Sequence, residues 1–147
     1  SDVCSSDLKK SGGVQVSEPE VLLRVPGDRQ YALAIRTALG GVAILKDLDA
    51  DTLDDLRMAA DEMCDCLLHQ GRTVDHLEVA VYDEGDYLKV AISACYGEKK
   101  CPCEDETEIT RAVLQTLASD VEMTRCGDCV QCITLLLHKA TAPLKKQ

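Results

Sequence analysis

At 147 residues the chain is about one domain, long enough to bury a core without disulfides or metals. A net charge of −10 repels phosphate backbones, and with neither Trp nor Phe the chain lacks a stacking platform, so nucleic acid is excluded as the expected partner. No apolar run approaches a bilayer's thickness and no basic-then-apolar leader is visible, which predicts a cytoplasmic protein with no membrane partner.

Residues 1–8, "SDVCSSDL", read as a translated sequencing adapter, which implies a metagenomic source. Excluding them removes Asp2, Asp7 and Cys4 and moves the charge from −10 to −8. A polar lead-in occupies 9–20. "VLLRV" (21–25) is a short β-rich run ended by Pro26 and Gly27, with Asp28 as the N-cap of a helix. "RQYALAIRTALGGVAIL" (29–45) carries apolar residues at helical spacing, and Gly40-Gly41 predicts an end or a bend there. After a loop, a second helix is expected over about 52–69, closed by Gly71. "HLEVAVY" (76–82) and "YLKVAIS" (87–93) alternate apolar and polar residues around "DEGD", a hairpin signal. "ACYGEKKCPCEDETE" (94–108) reads as a long polar loop and "ITRAVLQTLAS" (109–119) as a third helix. "VEMTRC" (121–126) and "CVQCITLLLH" (129–138) form a second hairpin around Gly127-Asp128, and 139–147 is a tail. The expected fold is one α/β (α+β) domain over 21–138. It is a two-layer sandwich whose mixed, mostly antiparallel sheet is covered on one face by three helices.

On the second helix, Leu53, Leu56, Ala60, Met63 and Leu67 define an apolar stripe. Glu62 and Cys66 fall together on one flank, about 40° apart at about 100° per residue, where a helix presents a ligand pair beside a core. On this helix alone, a solvated Glu and a half-buried Cys are the better explanation of the pattern, and only the surrounding order of elements favours a site.

The order of elements and three segments resemble the bacterial anti-sigma-factor serine/threonine kinases, in the ATPase superfamily shared with gyrase and histidine kinases. "VLLRVPGDRQYALAIRTAL" is similar to that family's first strand and helix. "DLRMAADEMCDCLLHQ" (55–70) is similar to its D-[IL]-[KR]-L-A-x-x-E-A-x-x-N-x-x-x-H pattern, and "LASDVEM" to the junction of its last helix with a strand. The resemblance implies a histidine-kinase-like ATPase fold, ATP and Mg²⁺ as cofactors, and a sigma factor or an anti-sigma antagonist as partner, with a homodimer plausible. It places the catalytic Glu at Glu62 and the Mg²⁺ ligand at Cys66.

Several positions depart from the family. A thiol is a soft ligand and Mg²⁺ wants hard oxygens, so Cys66 is a poor replacement for Asn. Asp65 carries oxygens but lies about 60° further round the polar face. Sliding the alignment by one residue would pair Asp61 with Asp65 but spoils the match of "DLRMAA". The family's adenine-reading D-x-G-x-G falls on "SACYG" (93–97). Ala94 takes the position of the Asp and cannot accept a hydrogen bond, and Gly97 is what remains of the glycines. The phosphate lid falls on 98–108, which has no Gly and carries Glu104, Asp105, Glu106 and Glu108.

Three departures together predict a regulatory protein that acts by protein–protein binding, with a degenerate ATP site and no cofactor. An active kinase with Glu62 as base is the first alternative. The second is a metal or redox protein built on Cys101, Cys103, Cys126 and Cys129, whose C-x-C and C-x-x-C spacings allow a thiolate site. His69, His76 and His138 read as isolated residues.

Overall fold

In β1 (Val21–Pro26), Val21, Leu23 and Val25 turn inward while Leu22 and Arg24 face out, the period-2 pattern of a half-buried strand. The computed structural model describes residues 18–99 and 107–139. Asp28 accepts from the Gln30 amide and caps a 3₁₀ turn, Arg29–Tyr31, which leads into α1 (Ala32–Leu45). Next in chain order come α2 (Ala50–Leu68), β2 (Arg72–Glu84), β3 (Tyr87–Lys99), α3 (Thr107–Leu117), β4 (Asp120–Cys126) and β5 (Cys129–His138).

The sheet runs β1-β2-β3-β5-β4, and all four ladders are antiparallel where the sequence suggests a mixed sheet. The helices pack on one face: α1 against β1, α2 over β2, β3 and β5, and α3 against β4. Leu77, Val79 and Val81 of β2, Leu88, Val90 and Ile92 of β3, and Ile133 and Leu135 of β5 meet Ile35, Leu39, Leu56, Met63 and Leu67 in one core. Each such side chain contributes roughly 1.5–3 kcal/mol through burial. No helix among the described residues is long and apolar enough to cross a membrane.

Three expectations need correcting. Helix α1 does not break at Gly40-Gly41 but runs on to Leu45. A methyl group at Gly40 would lie in ordinary contact with Leu53 and Arg57, so α2 closes over that turn and tertiary packing outweighs propensity. Strand β2 begins at Arg72 and β3 continues to Lys99, so residues 94–99 are strand rather than loop. Those extensions lack apolar alternation. They are held by backbone pairing and by Arg72, which donates twice to the Gly97 carbonyl (3.0 and 3.2 Å) and lies over the Tyr96 ring. Both hairpins close on a two-residue turn containing a glycine at positive φ, Gly85 between Glu84 and Tyr87 and Gly127 between Cys126 and Cys129.

At the β2–β3 turn a charged cluster ties the layers. Lys46 reaches both Glu20 and Asp83 at 2.7 Å, and Lys139 reaches Asp83 at 2.5 Å. Lys139 and Lys46 together hold the Asp83 carboxyl down at about 2.

Candidate functional site

Helix α2 starts under an Asp49 cap, whose carboxylate accepts from the Thr52 amide at 2.8 Å; the Thr52 side chain first, and its amide second, hold that carboxyl below its ordinary range. Its apolar stripe then faces the sheet, leaving two flanks with different neighbours. On one, Arg36 donates to Asp61 at 2.8 Å and Arg29 pairs with Asp65. On the other, Thr110 of α3 donates to Glu62 at 3.3 Å, and Cys66 turns into the core at 8% exposure. The two carboxylates that a one-residue slide would align therefore belong to the α1 side. Glu62 and Cys66 share the opposite flank, as the wheel predicts.

Cys66 is enclosed by hydrogen bonds that the sequence did not announce. Gln70, at 3% exposure, donates to the Cys66 carbonyl at 2.9 Å and approaches its sulfur at 3.7 Å. The Gln70 side-chain oxygen accepts from the Val130 amide at 2.8 Å, and the Cys129 thiol donates to the Gln70 carbonyl at 3.4 Å. The Tyr96 hydroxyl lies 2.6 Å from the Val130 carbonyl and 2.9 Å from that of Leu67. Neutral groups thus fasten the end of α2 to β3 and β5. Gln70 occupies the last position of the 55–70 motif, where the family pattern has His; that was the signal available for it.

Ala94 sits opposite Leu77 at 3% exposure, in the same core as Cys66. It faces the helices but offers only a methyl group. Gly97 is exposed three residues on, away from that core, with its carbonyl taken by Arg72. Cys101, Cys103, Glu104, Asp105 and Glu106 lie outside the described residues, while Glu108 stands in the first turn of α3.

Cys126 and Cys129 are direct partners in the β4–β5 ladder, one exposed and one buried. Burial pushes the Cys64 thiol up to about 12 and also raises Cys132, which disfavours the thiolate at both. His69 packs its ring nitrogen 2.7 Å from the Asp65 carbonyl, and His138 meets Tyr87 edge to face. His76 is not isolated: it lies against Asp75 and Cys95 on the sheet face away from the helices. A cleft of about 200 Å³ opens at the far end of α2, between Thr52, Asp55, Ser119 and His138, and neither Glu62, Cys66 nor Ala94 lines it. Burial, reinforced by Asp51, raises the Asp55 carboxyl there.

No protein-family model matches the chain. Over 126 residues it is 30% identical to anti-sigma-F factor RsbW of Mycobacterium tuberculosis, in both the CDC 1551 and H37Rv strains. The match covers 82% of this chain and 70% of the relative. Among solved structures, the RsbU and RsbW domains of an M. tuberculosis protein align with a TM-score of 0.59 at 14% identity. That alignment covers 85% of this chain and 35% of the other, so the chain spans about a third of that structure's length. This likeness concerns the fold, the same sandwich of helices on one face of a sheet.

Proposed function

Because the chain belongs to the family of anti-sigma-F factor RsbW, we propose that it regulates transcription by holding a protein partner, a sigma factor or an antagonist of the anti-sigma factor, through a domain whose nucleotide site no longer transfers phosphate. The observation that carries this reading is Cys66. At the position where the family resemblance puts a Mg²⁺ ligand stands a buried thiol, enclosed by Gln70.

The donor set does not fit Mg·ATP. Magnesium takes oxygen ligands in an octahedron. On this flank, among the described residues, Glu62 offers a carboxylate beside a sulfur, and Asp61 and Asp65 each pair an oxygen with Arg36 and Arg29 on the other side of the helix. Ala94 gives the adenine amino group nothing to bond. Burial of Cys66 and Ala94 in the core supports binding as the function and the fold as its scaffold.

Calorimetric titration of the purified chain with ATP, with and without Mg²⁺, tests the proposal. No magnesium-dependent heat is expected, and the affinity for a sigma-F-type factor should be the same with or without ATP. Tight, magnesium-dependent nucleotide retention overturns it and favours the kinase reading, with Glu62 as the base.

A further inference from the structure

Regular alternation along β2 puts Leu77, Val79 and Val81 on the helix side and His76, Glu78 and Ala80 on the open face. The ladder to β3 holds a steady register from His76–Cys95 to Glu84–Tyr87, then slips between Val74 and His76 and again between Arg72 and Val74. Such irregularities re-aim side chains. Asp75, which alternation would send towards the helices, is instead 77% exposed at its side chain and bonds His76 Nδ1 at 2.8 Å. Cys95 is the direct cross-strand partner of His76. A carboxylate oxygen, an imidazole nitrogen and a thiol sulfur consequently lie within 4.8 Å of one another.

We propose that Asp75, His76 and Cys95 form a binding site for a thiophilic divalent cation, zinc in the first instance, on the open face of the sheet. The donor set is the borderline mixture that zinc takes. Bonds of about 2.0–2.3 Å in a tetrahedron keep ligand atoms roughly 3.3–3.8 Å apart, so closure needs a movement of about 1 Å, within reach of side-chain rotation. Two ligands stand on paired strands, which fixes their spacing, and the third projects into solvent and leaves an access path. Water or a donor from a partner protein completes the fourth position. On binding, the Cys95 thiol gives its proton to solvent and the thiolate bonds the metal; nothing is oxidised or reduced.

The site is independent of the nucleotide question, because it lies on the opposite side of the sheet from Glu62 and Cys66. It also differs from the all-cysteine cluster suggested by spacing: Cys129 is buried and donates to the Gln70 carbonyl.

The test is a titration of the reduced, full chain with Co²⁺ under anaerobic conditions, followed by absorption and then by displacement with Zn²⁺. One equivalent should bind with a thiolate-to-cobalt charge-transfer band and tetrahedral ligand-field bands, both lost on adding zinc. Cys95→Ser should abolish the charge-transfer band. His76→Gln should weaken binding roughly tenfold or more, and Asp75→Asn should weaken it less. Cys126→Ser should change nothing. The Cys95 and His76 variants are independent, and a circular-dichroism spectrum for each shows that the sheet persists. Absence of binding by the unaltered chain overturns the proposal, as does a charge-transfer band that survives Cys95→Ser or an affinity that survives His76→Gln.

Discussion

At the β2–β3 turn, Lys46, Asp83, Lys139 and Glu20 join the layers with charge, part-exposed to water. At the other end of α2, Gln70, Cys66, Cys129 and Tyr96 do the same with neutral hydrogen bonds inside the core. The first end responds to acid and salt; the second responds to the loss of single atoms, because each buried group there lacks water as a substitute partner. The position expected to ligate a metal falls at the neutral end. There Cys66 is buried at 8% exposure and its carbonyl is bonded by the Gln70 side chain.

That contrast can be broken most sharply at Gln70. Gln70→Ala strands the buried Val130 amide and takes one of two donors from the Cys66 carbonyl, which keeps the His69 amide, and should lower unfolding stability by about 1–3 kcal/mol, read from urea midpoints at unchanged slope. A loss below about 0.5 kcal/mol would show that the amide is no staple. Next, Cys66→Asn supplies the missing oxygen but forces an amide into an apolar site. It should cost about 1–3 kcal/mol, and on the function proposed above it should leave Mg·ATP unbound by calorimetry. Tyr96→Phe removes a hydroxyl shared by two carbonyls and should cost about 0.5–1.5 kcal/mol.

The smallest effect belongs to the charged end. Asp83 is held at about 2 against an ordinary 3.8, so its ion pairs stabilise the fold at neutral pH. Protonation in acid removes that contribution, and stability should fall as pH drops from about 4 towards 2. Asp83→Asn should flatten this part of the pH profile, whereas Gln70→Ala should lower the whole profile without changing its shape.

Much of the fold is written locally. The period-2 runs at 76–82 and 87–93, the stripe from Leu53 to Leu67 and the turn at Gly127-Asp128 each declare an element through side-chain spacing, and Glu62 and Cys66 share a flank because helix geometry requires it. What escaped were features set by neighbours distant in sequence. The strand character of residues 94–99 depends on Arg72–Val74, and the unbroken α1 depends on α2 closing over Gly40. Gln70, just past the expected helix end, carries no local sign of Val130, which lies sixty residues on and bonds it. His76 looks isolated because Cys95 joins it only through strand register and Asp75 only through a slip in that register. Hydrophobic periodicity is a property of a short window, so the sequence by itself determined the elements, their order and the core face of α2. Register, helix contact and the partners of buried polar groups are fixed only when the chain closes on itself, and the tertiary structure alone decided them.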